Sequence, residues 1–352
     1  MEIVAKIIKG IRYSALMCRN LNTYKLKDLN VALSKDATFF LEINNQNKFA
    51  VSWWVSAKRT RSYPYARVYD SYGFTGKKVT VIPIFKDEGI EGDRDFLQWD
   101  TISLMSLLNI YVIVSYYKTA SKSSRYASKI TNQRFDVDQV NTKIKQLLDY
   151  QDDALHWNLL QVADVQTTGK NAINSYDSIS KELNVELHSR EGAKKKITEL
   201  MKDKDTFLKT SRNLAKMAQR RESLLTHKAE LVDGTKASLT ISNYLGGNYY
   251  FTSDEVRVKN NKLFLVEAKN TKKGILPHVE DIKDGLLRMI LFTNLEEVKV
   301  QKDSYINIIP VLKLTSVNES VLGKRETAIL ELLKKEADLN NFKVEVNGKF
   351  IS

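Results

Sequence analysis

Cysteine is nearly absent: the 352 residues contain one, Cys18. That excludes an internal disulfide framework and any zinc site built from cysteine thiolates, and a lone thiol fits a reducing compartment. Proline occurs 4 times and glycine 14 times, too seldom for collagen-like or Pro/Gly-rich material. The four histidines, His156, His188, His227 and His278, are scattered without the spacing of metal ligands. No uninterrupted apolar run reaches the ~18 residues of a membrane-spanning helix. The longest candidate, Ile110–Tyr117 with the helix before it, is broken by Asp95, Gln98, Asp100 and Asn109. The opening Met1-Glu2-Ile3-Val4-Ala5-Lys6 mixes charge with apolar residues and has no signal-peptide h-region. The expectation is a soluble cytoplasmic protein with no membrane partner. No G-x-x-x-x-G-K-[ST] loop occurs, because Gly76-Lys77-Lys78, Gly169-Lys170 and Gly323-Lys324 lack the Ser/Thr and the preceding glycine. No G-x-S-x-G element occurs either, so neither an ATP-driven translocase nor a serine hydrolase has support.

What is present is basic and mixed in texture. Fifty-five Lys and Arg against 42 Asp and Glu leave a net charge of +13, and 43% of residues are hydrophobic. The apolar fraction is enough for a core, the length suggests roughly two domains, and the charge points to a polyanionic partner. Residues 1–135 read as an N-terminal mixed α/β lobe. Its strands are Phe49–Val55, Ala66–Tyr72, Val79–Lys86 and Ile110–Tyr117, its helix Asp95–Leu108. The turn Tyr72-Gly73-Phe74-Thr75-Gly76 makes the second and third strands a hairpin, and Ser121–Arg125 reads as an exposed loop. Residues 136–230 read as a central helical segment. Glu191–Thr226 carries Lys194, Lys195, Lys196, Lys202, Lys209, Arg212, Lys216, Arg220 and Arg221 around one apolar stripe, a solvated face or a phosphate-facing arm. Residues 231–352 return to α/β. The sequence predicts a hairpin of Asp254–Val258 and Leu263–Lys269, helix Val279–Phe292, strand Tyr305–Leu314, helix Glu319–Ala337 and strand Phe342–Val346.

The chemistry gathers in that hairpin. Side chains alternate along a strand, so Leu263, Leu265, Glu267 and Lys269 share one face while Phe264, Val266 and Ala268 share the other. An acid and an amine therefore emerge side by side at the end of an apolar strand. The partner strand, beginning Ser253-Asp254-Glu255, brings a second carboxylate alongside. Mg²⁺ is commonly held by one or two carboxylates, waters and substrate phosphate. Asp254 and Glu267 could supply the carboxylates, the Ala268 carbonyl a third ligand, and Lys269 could orient or help deprotonate an attacking water. Glu297-Val298-Lys299 and Asp281-Ile282-Lys283 match the same short pattern but follow no such apolar strand.

Asp254, twelve intervening residues and then Glu267-Ala268-Lys269 resembles the signature of the PD-(D/E)XK nuclease superfamily, over roughly residues 240–315. The whole chain resembles a type II restriction endonuclease. The resemblance implies a mixed sheet flanked by helices, with Asp254 and Glu267 binding Mg²⁺ and Lys269 serving the water. Ser253 stands where the family has proline, and Asp254 versus Glu255 stays open as the first ligand. Glu230 is a candidate for the additional acid that the family often takes from an upstream helix.

The N-terminal lobe repeats the order of elements, with Asp70 and Lys86 in the places of Asp254 and Lys269 and Ile84 in that of Glu267. It reads as a degenerate nuclease copy or a DNA-recognition module. The acidic stretch Asp87, Glu88, Glu91, Asp93 and Asp95 reads as an exposed turn in which Asp93 or Asp95 caps the helix. An active site of Asp70, Asp87 or Glu88 with Lys86 is the alternative. Ser52–Arg67 interleaves aromatics with cations, and Lys58, Arg59, Arg61 and, further on, Arg94 are the expected DNA contacts. The reading is thus an α/β protein, a Mg²⁺-dependent, sequence-specific endonuclease of double-stranded DNA, dimeric if its site is palindromic. It would be the cutting half of a restriction-modification system. The alternatives are a non-catalytic DNA-binding module and a structure-specific or repair nuclease.

Overall fold

The computed structural model describes residues 2–8, 10–56, 62–201, 235–242, 248–259, 262–300, 303–305, 307–318 and 322–352. Lys58, Arg59, Arg61, Glu230, His227 and the basic positions from Lys202 to Arg221 lie outside the described residues. The chain is α/β and divides into two compact units, residues 20–211 and residues 1–19 with 212–352. Among the described residues no helix is long and apolar enough to cross a membrane.

The first strand, β1 (Glu2–Lys6), does not belong to the lobe that follows it. It pairs in parallel with β11 (Thr235–Ser242) of the C-terminal unit. Ile3 and Ala5 are fully buried there while Val4 between them is exposed, the alternation of a strand that buries one face.

The unit of residues 20–211 is built on a five-stranded sheet. Its order is β2 (Thr23–Lys25), β3 (Thr38–Glu42), β4 (Lys48–Trp53), β5 (Lys78–Pro83) and, after two short strands, β8 (Tyr111–Ser115). Strands β4, β5 and β8 are parallel, joined through α2 (Ser62–Asp70) and α3 (Trp99–Leu107); α1 (Leu29–Lys35) lies between β2 and β3. The expected strand over 66–72 is therefore a helix. Tyr65, Val68 and Tyr69 are buried at helical spacing, and Asp70 sits at a helix C-terminus. The Tyr72–Gly76 turn joins a helix to β5, not two strands of a hairpin. The N-terminal element order thus does not copy the C-terminal one.

The expected helix over 95–108 begins only at Trp99. Arg94–Phe96 (β7) instead folds back on Phe85–Asp87 (β6), turning through Gly89, whose φ of 94° favours glycine. Neither Asp93 nor Asp95 caps α3: Gln98 is the N-cap residue, and Asp95 accepts from Ser56 Oγ at 2.7 Å. Part of the expected Ser121–Arg125 loop is strand, since β9 (Tyr117–Lys122) pairs with β10 (Ile130–Phe135).

Helices α4 (Val137–Asp149), α5 (Ala154–Ala163), α6 (Val165–Leu183) and α7 (Arg190–Met201) fall in the same unit as this sheet. They are not a separate segment starting at 136. Trp157 Nε1 donates to Val112 O at 2.7 Å, and buried Asn158 accepts from Val112 N at 2.7 Å, so α5 is bonded to β8 through side chains.

The C-terminal unit holds a nine-stranded mixed sheet in the order β15-β14-β1-β11-β12-β13-β16-β17-β18. The hairpin is β12 (Asn248–Lys259) and β13 (Lys262–Thr271). Helix α8 (Val279–Phe292), β14 (Glu296–Val300), β15 (Asp303–Tyr305), β16 (Ile308–Ser316), α9 (Lys324–Asn340), β17 (Lys343–Val346) and β18 (Lys349–Phe350) follow. Strand β16 runs parallel to β13, and α8 packs on both. Gly285 makes that approach close: a Cβ there would meet Leu312 Cδ1 at 2.6 Å and the Lys269 stem at 3.4 Å.

Candidate functional site

Asp254 and Glu255 separate at a β-bulge. Between β11 and β12, the partners Ala237↔Ser253 and Thr235↔Val256 set two steps of one strand against three of the other. Bulges of this kind re-aim side chains and end pairing, and they are common beside active sites. Pairing of β12 with β13 also stops at Glu255↔Val266. Buried Ser253 stands at the gap, its Oγ 3.0 Å from both Glu255 O and Val266 O. The serine thus offers its hydroxyl to carbonyls that the broken ladder leaves over, which a proline at that place could not do.

Past the gap, the Asp254 carboxylate takes over the ladder: its Oδ2 accepts from Ala268 N at 2.7 Å. The carbonyl of a strand residue points to the same edge as its N–H, so the Ala268 carbonyl also faces Asp254. Glu267 is buried on the α8 face, and Lys269 Nζ lies 2.9 Å from its Oε1. The same ammonium pairs with Asp284 Oδ2 of α8. The structure therefore brings Asp254, Glu267 and Lys269 together and adds Asp284.

The electrostatics are uneven. Burial raises the Asp254 pKa to about 7, and the neighbouring Glu267 charge adds to the rise, against the Ala268 N–H bond and the Lys269 and Arg288 charges. Burial also raises Asp284, partly offset by Lys269 and Arg288. For Lys269 burial opposes the charge, but Glu267 and Asp284 outweigh it, and the amine is held as ammonium above the ordinary lysine range. Three acids thus crowd around Lys269, with the Arg288 charge the second cation near them. Taking up a proton or binding a cation is how such crowding is relieved.

Glu255 faces the other way. It bonds Arg257 and lies 3.2 Å from Lys313 Nζ, while Glu345 lies 3.5 Å from Arg257 and 3.8 Å from Lys313. Burial opposes its charge, but hydrogen bonds from Arg257 and Lys313 hold its carboxyl below the usual range. Of the two acids left open by the sequence, Asp254 is the one beside Glu267 and Lys269.

Other expected residues are elsewhere. Arg94 is engaged within its own unit: its Nε lies 3.3 Å from buried Asp87, it donates to Ser189 O at 2.9 Å, and it covers the Phe85 and Phe96 rings. In the acidic stretch Asp87 also holds His188 at 2.8 Å, and Glu88 is held by Lys86 and Lys129. These carboxylates are spent on partners, which disfavours the alternative site there. His278 is an exposed N-cap of α8, its Nδ1 accepting from Glu280 N at 3.4 Å.

Among the described residues no group of three or more His, Cys, Asp or Glu side chains has the geometry of a metal cage. The Asp254–Glu267 pair with the Ala268 carbonyl fits instead the partial donor set of Mg²⁺, which keeps several waters and takes further oxygens from a phosphate. Asp284 escaped the short motif because it lies a helix away. Its signal was an acid next to a mid-helix glycine in a helix whose other residues from Ile282 to Phe292 are mostly apolar. Compared with protein-family models, curated proteins and solved structures, the chain matches none of them.

Proposed function

We propose that the protein is a Mg²⁺-dependent endonuclease that hydrolyses phosphodiester bonds of double-stranded DNA at a short sequence, in the manner of a type II restriction enzyme. The observation that carries the reading is the convergence of Asp254, Glu267 and Lys269 at a break in the β12–β13 ladder. Bound there, Mg²⁺ supplies a water of lowered pKa and neutralises charge on the scissile phosphate. Asp254 and Glu267 would hold the metal with the Ala268 carbonyl. Lys269, kept protonated by its two carboxylate neighbours, places positive charge beside the attacking water and the phosphate oxygens and orients both. Its charged state makes it a positioning group in the metal-free protein rather than a base. Asp284 fixes the ammonium in that place.

The net charge of +13 supports a polyanionic substrate. A palindromic target would be met by two copies of the chain, one active site per strand. Such an enzyme would work in the cytoplasm as part of a restriction-modification system.

The test is plasmid DNA with Mg²⁺, beside Glu267→Ala, Lys269→Ala and an EDTA control. Discrete fragments from the wild type alone carry the proposal. Equal cutting by all three proteins would move the active site elsewhere. Binding without cutting would make the chain a DNA-binding module, and cutting that follows DNA structure rather than sequence would make it a repair nuclease.

A further inference from the structure

The β9–β10 hairpin, residues 117–135, carries Lys118, Lys122, Arg125, Lys129 and Arg134 and not one Asp or Glu. Two of these cations are already engaged: Lys118 lies 3.4 Å from Asp136, and Lys129 lies 3.2 Å from Glu88. Lys122, Arg125 and Arg134 are exposed, and among the described residues no carboxylate lies within ion-pair distance of them. Their charge is therefore uncancelled at short range, and it is spread along a two-stranded ribbon.

The ribbon is held firmly on its inner side. The Tyr117 and Phe135 rings stack at 4.6 Å and are buried, Tyr117 Oη donates to Val55 O at 2.7 Å, and Ser175 Oγ of α6 donates to Tyr117 O at 2.7 Å. Gln133 Nε2 donates to Asp87 O at 2.7 Å, and its Oε1 accepts from Tyr176 Oη at 2.6 Å. The outer positions hold Thr119, Ser121, Lys122, Asn132 and Arg134, all exposed and all polar. A bulge between Thr131 and Arg134, with Asn132 at φ 49°, adds twist there. Beside β10 runs a groove of about 470 Å³ that Trp53, Lys86, Thr131 and Arg134 help to line.

We propose that this ribbon is the surface that lies on the DNA duplex, with Lys122, Arg125 and Arg134 on phosphates or guanine and Asn132 on a base edge. A two-stranded ribbon enters a major groove about 12 Å wide, and Arg and Asn are the side chains that pair bidentately with guanine and adenine there. An acid-free cationic edge fits a polyanion and repels cationic partners. The inference rests on the DNA reading above, and it replaces Arg94, which is half-buried and paired with Asp87, as the described arginine expected on DNA.

The test uses the full chain carrying Glu267→Ala, with and without Lys122→Ser, Arg125→Ser and Arg134→Ser together. Binding to a labelled duplex is followed by fluorescence anisotropy over a range of salt. A matched set, Lys170→Ser, Lys194→Ser and Lys195→Ser, removes three exposed cations from α6 and α7. The ribbon set is expected to weaken binding by about tenfold or more at low salt and to reduce the slope of log affinity against log salt by about 2–3. The helix set should do markedly less. An unchanged slope in the ribbon set, or equal losses in both sets, overturns the assignment. Binding that weakens as expected in a protein whose wild type cuts no DNA leaves the ribbon standing and removes the nuclease reading.

Discussion

Asp254 and Glu255 are neighbours in the chain, yet they live in opposite surroundings. Glu255 shares the sheet face of Arg257, Lys313 and Glu345, two acids against two bases, and its carboxyl is held low. Asp254 shares the surroundings of Glu267, Lys269 and Asp284, with the Arg288 charge also near, so that three acids face two cations, and its carboxyl is pushed up to about 7. The first set is charge-balanced and complete as it stands. The second is under-compensated, and it lies where the strand ladder breaks. Structural ion networks and functional sites both perturb pKa values. The two clusters differ in their charge balance, and the experiments below ask which kind each is.

The largest expected effect comes from breaking the crowded face directly. Glu267→Ala or Lys269→Ala should lower cleavage by about a thousandfold or more, as loss of several kcal/mol of transition-state stabilisation requires. Single-turnover cleavage with saturating Mg²⁺ measures it, and near-wild-type rates would dissolve the contrast between the faces. Asp284→Asn removes one of the two carboxylates that fix the Lys269 ammonium. A fall of about 10- to 100-fold is expected, the usual effect of a group acting through a neighbour. A positioning role predicts that Asp284→Glu restores part of the rate, which a purely structural role would not.

The next effect sharpens the comparison through pH. An acid whose folded-state pKa stands above its unfolded value carries a cost that is absent below the unfolded pKa and complete above the folded one. Metal-free stability should therefore fall as pH rises between about 4 and about 7. A rise from 3.8 to about 7 at about 1.4 kcal/mol per pKa unit bounds the cost at roughly 4 kcal/mol. Asp254→Asn keeps an acceptor for Ala268 N–H and removes the charge. It should raise the melting temperature in EDTA near pH 8, by about 1–3 kcal/mol of stability, and flatten the pH dependence. Identical melting of the two proteins would show that the crowding carries no cost.

The smallest effect is the mirror experiment. Glu255→Gln should cost about 1–2 kcal/mol, because Arg257 and Lys313 lose a partner but keep partial access to water. Cleavage should stay within a few-fold of wild type. A collapse of activity with stability intact would place Glu255, and not Asp254, in the site.

Much of this site was legible because its rules are local. Alternation along β13 put Glu267 and Lys269 on one face, and the 3.6-residue period marked Val279–Phe292, the bounds that α8 has. The N-terminal half was less legible. Tyr65, Ala66, Val68 and Tyr69 form a short apolar cluster that suits a strand or a buried helix, and only packing against the sheet decided for a helix. The same ambiguity produced an apparent second copy of the nuclease order, which the parallel β4-β5-β8 arrangement does not repeat.

By itself the sequence determined the charge of the molecule, its α/β character, and the acid and amine two residues apart at the end of an apolar strand. Those depend on composition and on side-chain periods of a few residues. The tertiary structure alone decided that Asp254 rather than Glu255 joins them, that Asp284 closes around Lys269, that β1 crosses to the C-terminal sheet, and that the cations of β9–β10 are displayed while Arg94 is paired with Asp87. Each of those turns on which distant segment lies alongside, and that is set by strand register and the packing of α8 on β13, not by spacing along the chain.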